Sequence, residues 1–168
     1  IAVGGGSVLD YAKMANVLTN NKNLNLEITN SSYKLKKKFA KLVAIPTTAG
    51  SGAEVTSNAV IYVNKIKYSV ENGLLKPDYF ILIPELILGS KIQLKSSAGF
   101  DAISQAIESL ISQKSTKKSV EYACKSLEIS LRYFLMYLKK PNISNTYQMC
   151  IAANYAGKAI SISKTTAP

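Results

Sequence analysis

Short apolar runs occur along the first half of the chain, and each ends at glycine, proline or a polar residue. This pattern is typical of buried strands. It predicts strands in "IAVGGGS" at the start of the chain, at residues 42–45 and at residues 79–83. Alternating positions around Asn64 and Lys65 predict a hairpin with strands near residues 59–63 and 66–70.

The second half of the chain carries helical spacing and no strand pattern after about residue 89. Three helices are predicted: one that opens in "AGFDAISQAIES" (98–109), one over 117–139 that stops before Pro141, and one over 143–162. The second carries an apolar stripe, and the third is rich in small residues that permit close helix approach. The stripe consists of Val120, Ala123, Cys124, Leu127, Leu131, Phe134, Leu135 and Leu138. We therefore predict an α/β part at 1–89 followed by an all-helical part at 90–168.

The connection at 20–38 is polar and rich in asparagine, which predicts a long loop. The net charge of +11 raises the possibility of a nucleic-acid partner. However, the lysines are scattered apart from the run in 33–41, and that run matches no recognisable groove-reading module. A solvated loop is the simpler interpretation, and no nucleic-acid partner is expected.

No apolar run approaches the length of a membrane span, and the chain starts without Met or a signal-peptide pattern. Cys124 and Cys150 have no disulfide or metal-site spacing, so we expect buried, reduced thiols in a cytoplasmic protein. The chain contains no histidine. A histidine-based catalytic triad or a histidine-ligated metal site is therefore not complete within these residues.

Two glycine-containing loops follow predicted strands. In "GGGS" (4–7), a strand passes into a helix, so backbone N–H groups and a helix N-terminus can meet a pyrophosphate. In "PTTAGSG" (46–52), Thr47, Thr48 and Ser51 can grip ribose or phosphate oxygens. The first loop alone is equally compatible with a bare turn, and for the second loop a turn whose hydroxyls bond its own backbone is the commoner interpretation. Together, at the ends of neighbouring strands, they favour a ligand site.

A polar stripe runs along the helix in "AGFDAISQAIES". Asp101, Gln105 and Glu108 share one face at helical spacing, while apolar residues cover the other. By itself this stripe is compatible with a solvated face. The solvated face is the simpler interpretation of the stripe alone, and the alternative is a face that directs a carboxylate and an amide at a ligand.

Four blocks spread over the chain resemble the iron-containing (group III) alcohol dehydrogenase family, whose superfamily includes glycerol dehydrogenase and dehydroquinate synthase. These are "GGGSVLDYAK", "IPTTAGSGAEVT", "GFDAISQAIES" and "AANYAGKAISISKTTAP". The resemblance implies a Rossmann-like NAD(P) domain, a helical domain and a divalent metal, Fe²⁺ or Zn²⁺, between them. It also implies that this chain is a central fragment, incomplete at both ends.

The resemblance assigns roles to individual residues. Gly5, Gly6 and Ser7 match the pyrophosphate turn, with Asp10 on the following helix. The second cofactor loop is matched by Thr47, Thr48 and Ser51, and Ser51 stands where threonine is common. Lys67 matches a lysine near the cofactor ribose. Asp101 matches the first metal ligand, and Gln105 stands at the second, which is usually histidine.

The function implied is hydride transfer between a nicotinamide and a small alcohol or aldehyde whose oxygen the metal polarises. The combination of "DAISQAIES" with "AGKAISISKTTAP" looks most like a branch that includes phosphonoacetaldehyde reductases, which suggests a small anionic aldehyde as substrate. A homo-oligomeric enzyme is also expected. The chain as given is expected to be inactive, because it lacks histidine. The alternatives are a relative of the glycerol dehydrogenase or dehydroquinate synthase type, or a truncated pseudoenzyme that still binds nucleotide.

Overall fold

The computed structural model describes residues 1–18, 24–33, 35 and 37–164. Its first layer is a parallel sheet of three strands in the order β1-β2-β5, with β1 at Ala2–Gly4, β2 at Val43–Pro46 and β5 at Tyr79–Phe80. Helices α1 (Gly6–Ala15) and α2 (Leu24–Thr29) lie between β1 and β2 along the chain. Gly4 is paired with Pro46 in the register, so β1 and β2 end side by side.

The predicted hairpin is confirmed. Strands β3 (Asn58–Val63) and β4 (Ile66–Glu71) pair antiparallel, and Asn64 and Lys65 form the turn with φ values of 51° and 66°. Positive φ at both central residues matches the turn twist to that of the strands. A short 3₁₀ turn at Gly73–Leu75 follows, capped by the side chain of Asn72.

The rest of the described chain is helical, with α3 at Glu85–Leu88, α4 at Ile92–Ile111, α5 at Lys117–Lys139 and α6 at Ile143–Ser163. Helices α5 and α6 begin at capping boxes formed by Thr116 with Ser119 and by Asn142 with Asn145. Each box satisfies free N–H groups of the first turn, which explains the sharp helix starts. None of the helices in the described ranges is long and apolar enough to cross a membrane.

Three apolar clusters hold these elements together. One lies beneath the parallel sheet around Leu9 and Ala44, and a second joins α1 and α2 to the hairpin through Met14 and Ile61. The third fills the space between α3, α4, α5 and α6, and Ala49 from the loop after β2 belongs to it. The loop after β2 is therefore packed into the helical core as well as attached to the sheet.

Several boundaries differ from the sequence predictions. Residues 24–29 form α2 within the expected loop, because Ile28 is buried against the hairpin. Strand β5 covers only Tyr79–Phe80, since the chain then turns toward Pro84 and α3. Helix α4 begins at Ile92 and not at residue 98, with Gly99 in its interior. A side chain at Gly99 would collide with the ring of Phe134, so glycine there permits close packing of α4 on α5.

The buried face of α5 also differs from the predicted stripe. Its buried residues are Ser119, Ala123, Ser126, Ser130, Phe134 and Tyr137, whereas Leu131 is 76% exposed and Leu135 is 62% exposed. Small residues occupy the face of α5 that packs on α6, because they let the two helices approach closely. Across this contact Ser126 Oγ donates to the Ala152 carbonyl at 2.8 Å. Consequently Cys124 is exposed and not buried, while Cys150 is buried as expected.

Candidate functional site

The turn after β1 presents an open helix N-terminus. Gly5 precedes the first residue of α1, and no side chain caps this end of the helix. The first N–H groups of α1 are therefore left for another partner, and the helix dipole makes that position favourable for an anion. A Cβ added at Gly6 would lie 2.6 Å from Ser51 Oγ, so glycine is required for the approach of the second loop.

The second loop, residues 47–52, is held on three sides. Thr47 N donates to the Gly4 carbonyl at 2.9 Å, which joins the loop to β1. A Cβ at Gly50 would lie 2.6 Å from the Ala98 carbonyl oxygen of α4. Gly52, at φ +60°, is so close to α6 that a Cβ would lie 2.6 Å from Gly157 Cα. The loop is thus seated between the sheet and two helices.

Two adjoining cavities open beside these loops. The smaller, about 470 Å³, is lined by the glycine turn, Ser7, Thr48 and residues of β3 and α4. The larger, about 610 Å³, extends toward Gln105 and Glu108. Asp10, Ser51, Val60, Lys67 and Asp101 line both cavities. The structure therefore brings together all of the predicted site residues except Thr47, whose side chain lines neither cavity.

A buried ion pair supports the wall that the cavities share. Lys13 Nζ donates to Asp10 Oδ1 at 3.1 Å, to Thr56 Oγ1 at 2.9 Å and to the Asn58 carbonyl at 3.0 Å. Asp10 Oδ2 accepts from Val60 N at 2.9 Å. Burial raises the pKa of Asp10 and lowers that of Lys13, while the charge of each partner opposes the shift in the other. The pair therefore attaches α1 to β3.

The polar stripe of α4 lies on one face of the helix, and this face lines the larger cavity. Asp101, Gln105 and Glu108 all line it, and Asp101 also reaches the smaller cavity. Asp101 is exposed, whereas Gln105 Oε1 is buried without a hydrogen-bond partner. A buried acceptor of this kind needs a cation or a donor to satisfy it.

These donors fit part of a divalent metal site. Asp101 offers a carboxylate and Gln105 a neutral oxygen, which suits Fe²⁺ or Zn²⁺ less well than imidazole. Within the part of the chain that the structure describes, no group of three or more His, Cys, Asp or Glu residues could hold a metal ion. The described residues thus supply two donors on one helix face.

Sequence reasoning missed the supports of the site. It left Lys13 within a motif without a role, and it did not single out Glu54, Thr56 or Asn58. A signal was present for Lys13: its spacing of three residues from Asp10 places both charges on one face of α1. No comparable signal marks Glu54, because its partner Asn154 lies 100 residues away in sequence.

The glycine turn on an open helix N-terminus, the hydroxyl loop at the adjacent strand and a carboxylate on α4 surround the two adjoining cavities. The family model described as iron-containing alcohol dehydrogenase matches residues 1–84. The chain belongs to the iron-containing alcohol dehydrogenase family.

Two individual relatives support this family assignment. The chain is 30% identical over 170 residues to 4-hydroxybutyrate dehydrogenase of Clostridium kluyveri, a match that covers 95% of this chain and 43% of that protein. It is 32% identical over 164 residues to 1-propanol dehydrogenase PduQ of Salmonella typhimurium, which covers 96% of this chain and 41% of that protein. The chain thus spans about two-fifths of the length of these relatives.

A solved structure shares the fold. Sulfoacetaldehyde reductase from Bifidobacterium kashiwanohense, determined in complex with NAD⁺, superposes with a TM-score of 0.91 at 29% identity. The match covers 98% of this chain and 45% of that protein. Both the parallel sheet and the helices α4–α6 therefore belong to a fold that is known in this family.

Proposed function

We propose that this chain carries the cofactor loops and part of the metal site of an NAD(P)-linked alcohol dehydrogenase or aldehyde reductase. The observation that carries the proposal is the convergence of three separate segments on adjoining cavities. The glycine turn, the hydroxyl loop and Asp101 of α4 come from positions far apart in sequence, yet line one space.

Each segment has a distinct role in this proposal. Gly5, Gly6 and Ser7 bind the pyrophosphate through the free N–H groups of α1. Thr48 and Ser51 donate hydroxyl hydrogen bonds to the ribose or phosphate, and Lys67 approaches the ribose from β4. Thr47 acts through its backbone, since its N–H bonds Gly4 and fixes the second loop to the first. Asp10 contributes through the cavity wall that it shares with Lys13.

We propose NAD as the cofactor to test first, because the relative from B. kashiwanohense was solved with NAD⁺. Titration of the chain with NADH, followed by fluorescence, is the direct experiment. Gly6→Val and Ser51→Ala should each weaken NADH binding about tenfold. The valine side chain fills space beside the glycine turn, and Ser51→Ala removes a hydrogen-bond donor. Ser57→Ala is the matched control, because Ser57 lines neither cavity. Equal affinity in all four proteins would contradict the assignment.

The metal is proposed at Asp101 and Gln105. A bound divalent ion would act there as a Lewis acid on the substrate oxygen. Asp101 and Gln105 would hold this ion. Asp101 supplies a negative charge, and Gln105 supplies a buried oxygen that otherwise has no hydrogen-bond partner. Zn²⁺ binding, measured by calorimetry, should weaken strongly in Asp101→Asn and less in Gln105→Leu. Ser104→Ala, on the same helix, should bind as the unchanged chain does.

We propose that the substrate is a small aldehyde with an anionic group. Two of the relatives named above carry a small anionic compound in their names, the alcohol 4-hydroxybutyrate and the aldehyde sulfoacetaldehyde. Lys67 lines both cavities and supplies positive charge there, whereas Asp101 and Glu108 supply negative charge. A panel of propanal, 4-oxobutanoate, phosphonoacetaldehyde and sulfoacetaldehyde, each tested with NADH and Fe²⁺ or Zn²⁺, measures the preference. Turnover of propanal alone would exclude the anionic class.

A second function, nucleotide binding without turnover, is favoured by Gln105 at the position where the family usually has histidine. It predicts that NADH binds while no aldehyde of the panel is reduced at any metal concentration. Metal-dependent oxidation of NADH would exclude it. The chain spans about two-fifths of the length of these relatives. The test therefore distinguishes the two functions for the chain as given.

A further inference from the structure

A buried hydrogen bond connects the hydroxyl loop to α6. Asn154 Nδ2 donates to Glu54 Oε1 at 2.9 Å, and both residues are buried, with exposed fractions of 4% and 3%. Glu54 follows the loop directly, and Asn154 lies in the middle of α6. The bond therefore joins the end of the cofactor loop to a helix of the other part of the molecule.

Backbone packing reinforces this connection. Gly157 lies one turn after Asn154 on α6, and a Cβ at Gly157 would lie 2.8 Å from Gly52 Cα. Val55 N donates to the Gly52 carbonyl at 3.0 Å, which closes a turn between the two contacts. Residues 52–55 are thus seated on one face of α6 by a close backbone contact and a side-chain hydrogen bond.

The same segment determines where Ser51 lies. Ser51 Oγ accepts from Ala53 N at 3.4 Å, and a side chain at Gly6 would meet this hydroxyl. A shift of residues 52–55 away from α6 would move Ser51 relative to the glycine turn. Both loops would then lose the spacing at which they form one cavity.

The attachment of residues 52–55 to α6 depends on the hydrogen bond from Asn154, because the carboxylate of Glu54 is buried. Burial raises the pKa of Glu54, whereas the hydrogen bond from Asn154 and the charges of Lys13 and Lys158 lower it. A buried acceptor that loses its donor is costly, since water cannot replace the lost bond. Removal of the Asn154 amide is therefore expected to displace the segment that carries Glu54.

We propose that Glu54 and Asn154 are positioning residues for the cofactor loop, so that α6 sets the affinity for the dinucleotide. This rests on the proposed function of the loop as a cofactor site. Neither residue lines the cavities, and both act through Ser51 and the backbone of residues 52–55.

The test compares variants of the whole chain. Asn154→Leu removes the donor at similar volume and should raise the dissociation constant for NADH about tenfold. Glu54→Gln keeps an oxygen that accepts from Asn154 and should bind NADH within about twofold of the unchanged chain. Should Asn154→Leu fail to fold, Asn154→Ser is the second variant, because its hydroxyl is too short to reach Glu54.

The matched control is Ser126→Ala. It removes a buried hydrogen bond to the Ala152 carbonyl, also on α6, without touching the loop. A merely structural role for Asn154 predicts that Ser126→Ala and Asn154→Leu lose affinity in proportion to their loss of Tm. The positioning role predicts lower stability in both but weaker NADH binding only in the Asn154 variant.

Hydrogen exchange gives a readout that needs no cofactor. The amides of Ala53 and Val55 should exchange faster in Asn154→Leu than in Ser126→Ala. Unchanged exchange and an NADH affinity equal to that of the unchanged chain would overturn this proposal alone. Failure of the unchanged chain to bind NADH would overturn the proposed function and this inference together.

Discussion

The α/β part and the helical part each contain a lysine–carboxylate pair within one helix, and the two pairs differ in their surroundings. On α1, Lys13 and Asp10 are 3.1 Å apart, with side-chain exposures of 0% and 12%. On α5, Lys125 and Glu121 are 2.6 Å apart, with exposures of 46% and 58%. The first pair bonds the wall of the cavities, while the second lies in solvent. The same kind of ion pair therefore supports the cavity wall on α1, whereas on α5 it lies at the solvent-exposed surface.

The buried polar groups of the two parts follow this difference. In the helical part several of them are hydroxyls on closely packed helices: Ser112 Oγ donates to the Ser163 carbonyl at 2.7 Å, and Ser163 Oγ donates to Ser109 Oγ at 2.8 Å. Such short side chains form hydrogen bonds without separating the helices. In the α/β part, buried charges join segments around a space. The buried charges of Lys13 and Asp10 therefore lie at the wall of the cavities.

The largest expected effect is at the buried pair. Lys13→Met should lower the free energy of unfolding by about 3–5 kcal/mol, because Asp10 would remain buried without its partner. Urea unfolding followed by circular dichroism measures this loss. The double variant Asp10→Asn with Lys13→Met removes both charges and should recover part of it. A loss below about 1 kcal/mol for the single variant would place the pair with ordinary surface pairs.

Glycine contacts in the helical part should give the next largest effect. Gly157→Ala would bring Cβ into the Gly52 backbone, which cannot turn aside, and should cost about 1–3 kcal/mol. Gly99→Ala meets the ring of Phe134, which can rotate, so its cost should be smaller. Gly89→Ala is the control, since nothing lies within 4 Å of a Cβ there. Thermal unfolding ranks the three, and an equal Tm for all would refute the packing argument.

The pH dependence of stability should separate Glu54 from exposed carboxylates. Burial raises the pKa of Glu54 above its ordinary value of 4.5, so the folded chain binds this proton more tightly than the unfolded chain. The stability that Glu54 contributes is therefore complete below 4.5 and is lost as the pH rises through its folded pKa. The Tm of Glu54→Gln minus that of the unchanged chain should rise as the pH is raised above 4.5.

The control for this measurement is Glu121→Gln. Its hydrogen bond with Lys125 and the charge of that lysine lower the pKa of Glu121, so the sign reverses. The stability from Glu121 is present above its ordinary pKa and is lost as the pH falls through its folded pKa. A Tm difference for Glu54→Gln that falls with rising pH would show that the charged form is favoured by folding.

The smallest effect is expected at the exposed pair. Glu121→Ala should lower the Tm at neutral pH far less than the changes above, because the pair lies in solvent and its attraction is screened. Differential scanning calorimetry at low and high salt is the measurement. A clear loss of Tm that disappears at high salt would show that the two pairs differ less than their burial indicates.

Local signals in the sequence predicted much of the fold. The bounds of α5 agree at both ends because Thr116 caps the helix and the chain reaches Pro141 soon after it. The turn at Asn64 and Lys65 was equally local. Helix α2 and the early start of α4 were missed, since their apolar residues are stabilised by the hairpin and by α5 and not by their own pattern.

The site could be predicted where a strand ends in a loop, because neighbouring parallel strands bring such loops together. That argument, with the family resemblance, selected Gly6, Ser51 and Asp101, which line the cavities. It did not select Lys13, although the spacing from Asp10 was a signal, because Lys13 lines neither cavity. It could not select Glu54, because its partner Asn154 is distant in sequence and only the folded chain makes them neighbours.

The hydrogen bond between Glu54 and Asn154 also has a consequence for the order of folding. It closes a loop of 100 residues. Such a contact forms late, because the chain loses the entropy of closing the loop before the contact contributes any stability. Helices α5 and α6 are adjacent in sequence and joined by a short connection, so they can pair early. We expect partly folded chains to contain this helical hairpin before the two loops meet. Helical circular dichroism should therefore recover before the chain regains its ability to bind a dinucleotide.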